Sequence, residues 1–432
     1  MQASHILRKY DPAQWGGTET AVQRLVQGLQ MHGISSAVHA PQNASLDNID
    51  PLRDASPKIQ RYSAFVPVIG ISSAQREALL SWGGNLFSFD LFWQLRDSGA
   101  DVMHSHVLNR IAGISLMAAR SRGVPHVVTL HGGAHDMPDE VNARLTAPLK
   151  GGLEWGKALD ALVRSRHVLQ NTDAIFSCNP REAALLQNIY PRQRIIVQPH
   201  SVPAAQYGAD CRAAALKAYP QIAGRDLIVT VARLDPAKNL PWLVRQLPAI
   251  KRRHPRAMLV LIGAGTTPSV VEELHREIAR LGLINDVLLT GGLESGCAEM
   301  IGLVQSSRLL VLCSTAEPFG LVILEAWAAG TPVLSSRTSG PASLIEHGRT
   351  GLLYKLDQSA DFHSAIDTLM LNNKLHRHIS MEARELVRAE YDAPTVAGRV
   401  ARVYEELVEA KKHKGSKTIL HRQPVKFAAK LS

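Results

Sequence analysis

The chain has 432 residues, 45% of them hydrophobic and 20% charged, and a formal net charge of +10. That length exceeds one ordinary core and predicts two domains, while the composition excludes a disordered or fibrous protein. No apolar run approaches the roughly 18 residues of a spanning helix. The opening MQASHILRKYDP has no apolar signal core, so a cytoplasmic protein is expected.

In the first half, apolar β-type runs fall at 4–10, 35–40, 101–106, 126–131, 174–178 and 194–198. Amphipathic stretches separate them: in TAVQRLVQGLQMHG, Val22, Leu25, Val26 and Leu29 form one stripe and Gly33 is a stop signal. A Pro- and Gly-rich segment at 199–225 then shows no strand pattern and marks the domain switch. Further apolar runs follow at 227–233, 258–264, 287–291, 309–314 and 332–336. Strands this apolar suit parallel sheets covered by helices on both faces, so two doubly wound, Rossmann-like α/β domains are expected. The proposed division is 1–200 and 201–389. A closing helix near 390–410 can pack on either domain.

The last 23 residues hold seven Lys and Arg and no acid, which locates most of the excess charge at 411–432. Such a tail, with Leu420, Phe427 and Leu431 interleaved, suits either a solvated disordered end or contact with an anionic membrane surface at the inner face. Phe427 is its one aromatic, so nucleic acid is not an expected partner. The four cysteines, Cys178, Cys211, Cys297 and Cys313, form no CxxC pair and suggest neither a zinc site nor a disulfide framework.

Ligands of open α/β sheets bind beyond the carboxyl ends of the strands, so residues just after each strand are the candidates. Gly16-Gly17 precedes Thr18 and Glu19 at a helix start, where free N–H groups favour an anion. His104 and His106 close one run, and His131 stands before two glycines at the end of the next. In VARLDPAKNL, Arg233 and Lys238 flank a Pro turn and can converge on a pyrophosphate. Gly263 and Gly265 follow a strand, but Pro268 stands where a dinucleotide fingerprint needs its third glycine, so NAD binding is rejected. In EPFGLVILEAWAAG, Glu317 lies in the turn and Glu325 about 6–8 Å into the helix at 1.5 Å per residue. The two acids thus flank a positive helix end, a spacing suited to a sugar and a ribose joined by a diphosphate.

Taken together, GGTE, DVMHSH, TLHGG, AIFSCNPREAALL, VARLDPAKN, EPFGLVILEA and SGPASLIEHGRTGLLY make the chain similar to retaining glycosyltransferases of family 4 from Ser4 to about Glu409. That resemblance implies the GT-B fold, two Rossmann-like domains facing across a cleft, with the closing helix returning to the first. It implies Glu317 on the transferred sugar and Glu325 on the ribose, with Arg233 and Lys238 on the pyrophosphate. His131 stands beside the reacting sugar and Gly17 against the phosphates. Backbone N–H groups at Phe319, Gly320 and Leu321 are implied to meet sugar and phosphate, and Gly291 and Gly292 to lie near the base. His104 and His106 are acceptor-side candidates. No cofactor and no metal are implied: a UDP- or GDP-linked sugar is co-substrate, and a saccharide or lipid-linked hydroxyl is acceptor, as in polysaccharide or glycolipid biosynthesis. An epimerase or a catalytically idle partner subunit of the same fold are the alternatives. The chain departs from the family pattern at His200-Ser201-Val202-Pro203, Ala232 and Asn239.

Overall fold

The structure is a computed structural model that describes residues 1–11, 15–42, 57–82, 84, 86–132, 147–149, 151–356 and 358–413. The basic tail beyond His413 and most of the stretch 133–150 lie outside the described residues. The chain divides into two compact units, Met1–Gln198 with the chain from Ala397, and Pro199–Val396.

In chain order the strands of the first unit are β1 (Gln2–Ile6), β2 (Ser35–Pro41), β3 (Lys58–Tyr62), β4 (Val68–Ile69), β5 (Val102–Ser105), β6 (His126–Leu130), β7 (Leu153–Glu154), β8 (Ala174–Ser177) and β9 (Ile195–Val197). Seven of them form a parallel sheet in the order β3-β2-β1-β5-β6-β8-β9, while β4 and β7 make a separate antiparallel pair. The order reverses at β1, so the switch point lies between β1 and β5. One sheet face carries Ala3, Val102, Val127, Ala174 and Phe176 and is covered by Ala397, Val400, Ala401, Val403, Tyr404 and Leu407 of the helix Ala393–His413. Lys411 continues that helix and its Nζ lies 3.0 Å from Asp173, so the basic segment begins as ordered helix.

The second unit holds β10 (Asp226–Val231), β11 (Ala257–Ile262), β12 (Val287–Gly291), β13 (Ser307–Leu312), β14 (Val333–Ser336) and β15 (Leu352–Tyr354). They form a parallel sheet in the order β12-β11-β10-β13-β14-β15, with its switch point between β10 and β13. The helix Leu240–Arg253 buries Leu240, Leu243, Val244, Leu247 and Ile250 against this sheet, one stripe at helical spacing. The helix Leu321–Ala329 is buried on every side from Ile323 to Ala329, which explains why its sequence is apolar without a polar face.

Four strands had no counterpart in the sequence reading: β3, β15 and the two-residue strands β4 and β7. β3 is an edge strand whose KIQRY is mostly polar and only partly buried, and β15 is three residues long at the opposite kind of edge. β1 lies at 2–6 rather than 4–10: the chain leaves the sheet after Ile6, with Leu7 and Tyr10 buried, Lys9 half-buried and Arg8 exposed.

Candidate active site

β10 leads into the segment 232–239. Asp235 stands before a proline in extended conformation, and its carboxylate accepts the N–H of Ala237 at 2.9 Å. The resulting single turn, Pro236–Lys238, stops at Asn239, which takes φ 54° and caps the next helix. This turn delivers the Lys238 ammonium to Glu317, with Nζ 2.6 Å from Oε2. The pair is partly shielded, the two side chains being 24% and 14% exposed. Arg233, earlier in the same loop, is exposed.

The GxG after β11 has a packing role. Gly263 sits at φ +154°, and a Cβ there would lie 1.9 Å from the Ala232 carbonyl oxygen. Leu234 N–H donates to Ala264 O at 2.8 Å and Thr266 N–H to Leu234 O at 3.2 Å, so the two loops are joined through their backbones. The glycines that resemble half a dinucleotide fingerprint therefore bring the β11 loop against the backbone of the cation loop.

After β13, Thr315 N–H donates to Ala237 O at 2.9 Å, and the Cys313 thiol donates to Lys238 O at 3.1 Å. Burial pushes that thiol up to about 12, so it keeps its proton and serves as a donor. The turn bearing Glu317 is held from the other side. Gly340 N–H donates to Glu317 O at 2.9 Å, and a Cβ on Gly340 would meet Phe319 Cα and N at 2.5 Å. Gly320, at φ 92°, turns the chain into the helix Leu321–Ala329, whose first N–H groups form its positive end. Phe319 is buried against His200, ring centroids 4.7 Å apart. Glu325 is 4% exposed, one turn into the helix. At the end of β12, Gly291 takes φ 71° and accepts the Gly263 N–H at 2.9 Å; Gly291 and Gly292 are both exposed.

In the first unit, the helix Gly17–Met31 starts directly after Gly16, with Gly17 exposed at its N-terminus. Thr20 Oγ1 donates to Gly16 O at 3.0 Å and accepts from Trp15 Nε1 at 3.0 Å, which fixes this corner. His131 follows β6 and is half-buried. His104 is completely buried, with Nδ1 2.5 Å from the Tyr404 hydroxyl and Nε2 2.6 Å from Thr129 Oγ1. His106 is 6% exposed, one ring nitrogen 3.0 Å from His5 and the other 3.0 Å from His131. The ring nitrogens of both acceptor-side candidates thus have partners inside the unit, and His131 is the partner of His106 after β6.

The structure thus places Arg233 and Lys238 on the loop after β10, and Glu317, Phe319 and Gly320 on the loop after β13 with Leu321 and Glu325 in the helix that follows it, β10 and β13 being adjacent strands at the switch point of the second unit. Gly17 and His131 belong to the first unit. Sequence reasoning missed Asp235, Cys313, Thr315 and Gly340 as the parts that shape this site. Asp-Pro in LDPAK was a readable turn signal for the first, while contacts across 75 residues or more left none for Cys313 and Thr315.

Parallel doubly wound sheets with cations, carboxylates and a helix N-terminus at a switch point define a class of nucleotide-binding α/β proteins. The family follows from two matches: residues 16–201 fit the glycosyl transferase 4-like domain, and residues 214–386 the glycosyl transferases group 1 domain. The chain belongs to these glycosyltransferases and has their GT-B fold. It is similar to D-inositol 3-phosphate glycosyltransferase of Nocardia farcinica, 28% identical over 66% of this chain and 61% of that protein. It also resembles alpha-D-kanosaminyltransferase of Streptomyces kanamyceticus, 25% identical over 81% of this chain and 90% of that protein. Among solved structures, Anabaena HepE in complex with UDP and glucose shares the fold at TM-score 0.68 and 18% identity, covering 94% of this chain and 100% of that one. Sucrose-phosphate synthase of Thermosynechococcus elongatus does so at TM-score 0.68 and 20% identity, covering 95% and 99%. Among the described residues no helix is long and apolar enough to cross a membrane.

Proposed function

We propose that the protein transfers a hexosyl unit, with retention and without a metal, from a nucleotide-sugar to a hydroxyl of a saccharide or lipid-linked acceptor. The observation that carries this reading is the Lys238–Glu317 pair, 2.6 Å apart beside the N-terminus of the Leu321–Ala329 helix. A cation, a carboxylate and a positive helix end at one point match the diphosphate and the sugar hydroxyls of such a donor.

In this reading Arg233 and Lys238 take the pyrophosphate, Glu317 accepts from hydroxyls of the sugar, and Glu325 accepts from the ribose. The N–H groups of Phe319, Gly320 and Leu321 serve the sugar and phosphate, and Gly291 and Gly292 leave room for the base. Gly17 and His131 are the first unit's contribution. The bond from the anomeric carbon to the β-phosphate oxygen breaks as the bond to the acceptor oxygen forms on the same face. The acceptor proton passes to the departing phosphate, whose charge Arg233 and Lys238 stabilise. UDP and GDP sugars are the donor classes. The protein works at the inner membrane face, with its tail beyond His413 meeting anionic lipid.

The test is acceptor-free hydrolysis of a panel of UDP-, GDP- and ADP-sugars by wild type, Glu317→Ala and Arg233→Ala. One donor cleaved by wild type and lost in both variants supports the assignment. Variants that cleave as wild type does would overturn it.

A further inference from the structure

The strand order of the second unit puts two further cations beyond the Glu317 turn. β10, which leads to Arg233 and Lys238, is followed across the sheet by β13, β14 and β15. Arg337 is the first residue after β14 and Lys355 the first after β15, and both are exposed. The ladder pairs Ser336 with Tyr354, and Arg337 N–H donates to Tyr354 O at 2.9 Å. Arg337 and Lys355 therefore leave the sheet side by side, at the carboxyl ends of adjacent strands. Neighbouring strands lie about 4.8 Å apart, so the β14 end is about 5 Å beyond the β13 end and about 10 Å from that of β10.

Hydrogen bonds tie this segment to the loop that carries Glu317. Ser336 Oγ donates to Ser314 O at 2.7 Å, just before Arg337. Just after it, Ser339 Oγ donates to Glu317 O at 3.5 Å and Gly340 N–H to the same oxygen at 2.9 Å. Arg337 is thus fixed on both sides to the turn assigned to the sugar, and on the side away from Arg233 and Lys238.

Like charges on neighbouring strands repel, and here no acid offsets them. Asp361 accepts the backbone N–H of Lys355 at 3.3 Å, but among the described residues no carboxylate pairs with the Arg337 or Lys355 side chain. Other cations of this unit are matched: Lys238 has Glu317, and Arg349 has Glu346 and Glu382. An anion between the two side chains turns their repulsion into attraction, the guanidinium taking a carboxylate bidentately and the ammonium acting as a point charge. Both residues stand directly after parallel strands, where ligands of such sheets bind. The diphosphate is placed with Arg233 and Lys238, on the other side of Glu317. What reaches past Glu317 is the sugar.

We infer that Arg337 and Lys355 form an anion subsite for a carboxylate on the transferred sugar, so that the donor is a nucleoside diphosphate hexuronate. This rests on the proposed function, in which Glu317 accepts from hydroxyls of that sugar. Glu317 then reads the hydroxyls, and the cation pair reads the charge at the sugar's far edge.

The experiment titrates the full chain calorimetrically with UDP and GDP, then with UDP-glucuronate against UDP-glucose and GDP-mannuronate against GDP-mannose. Wild type should bind the hexuronate of its nucleotide at least tenfold more tightly than the neutral sugar. Replacing both cations, Arg337→Gln with Lys355→Gln, should bring the two sugars within threefold of each other. The nucleoside diphosphate alone should bind that variant within threefold of wild type, and melting curves confirm that it is folded. A wild-type preference below tenfold would overturn the inference, as would a preference above threefold that survives in the variant. Weakening of the nucleoside diphosphate itself by more than threefold would assign the pair to the phosphates and overturn it too. Binding of neither UDP nor GDP by wild type would overturn the proposed function and this inference together, whereas nucleotide binding without a hexuronate preference leaves the function standing and sinks the inference alone.

Discussion

Replacing Lys238 by Met removes one charge and keeps most of the side-chain volume. In the structure the ammonium is held 2.6 Å from Glu317, so a donor phosphate must compete with that contact. At an effective dielectric of about 20, a unit charge some 4 Å from a phosphate charge contributes about 4 kcal/mol. The charge-assisted bond to Glu317 offsets about 2 kcal/mol of this. The net loss on substitution is then about 2 kcal/mol, or roughly 30-fold in donor affinity. Calorimetric titration of the cleaved nucleotide-sugar into both proteins, with melting curves to confirm folding, measures it. Glu317→Gln serves as the counterpart: it frees the ammonium, so diphosphate binding holds or tightens while sugar turnover falls. Lys238→Met binding its donor within threefold of wild type, in a folded protein, would refute the assignment of Lys238 to the phosphates.

Gly340→Ala places a methyl 2.5 Å from the backbone of Phe319. It should cost about 1–3 kcal/mol in urea unfolding and weaken donor binding by displacing the Glu317 turn, whereas Gly348→Ala, with open space around it but φ +84°, should cost stability alone. Tyr404→Phe removes the hydroxyl that faces buried His104 at 2.5 Å and should lower stability by about 1–3 kcal/mol in the same assay, with donor affinity unchanged. Acid should also destabilise the first unit. Burial lowers His5 and His126 to about 3 and His39 to about 4. Each is protonated more readily when unfolded, so their contribution is complete above about pH 6.5 and declines as the pH falls toward those values. From pH 7.5 to 5.5 the three together should cost about 4 kcal/mol in unfolding free energy; stability that is level across that interval would contradict the buried, neutral assignment.

Much of this architecture was legible because parallel strands covered on both faces are apolar throughout, and their runs stand out between amphipathic helices. β3 escaped because an edge strand needs no such composition, and KIQRY has none. In the site, the elements with local signatures were readable: a Pro turn with Arg233 and Lys238, a glycine before a helix at Gly320, acids eight residues apart. What joins them was not. The thiol of Cys313 reaches Lys238 O across 75 residues and Gly340 reaches Glu317 across a separate strand, contacts that only the folded sheet creates. The histidines illustrate the same limit. DVMHSH marks a strand end, but two-residue alternation turns His104 toward Tyr404, 300 residues away, and the next ring toward His131. Gly263 is the converse case, a recognisable spacing whose function is close backbone packing.

The central claim is that the loops after β10 and β13 bind a nucleoside diphosphate sugar. Calorimetric titration of UDP, GDP and ADP into wild type, Arg233→Ala and Glu325→Ala tests it most directly. The account predicts that one nucleotide binds wild type in the micromolar range, and that each substitution weakens it at least tenfold, the first through the diphosphate and the second through the ribose. Binding of none of the three, or equal binding by all three proteins, would contradict it.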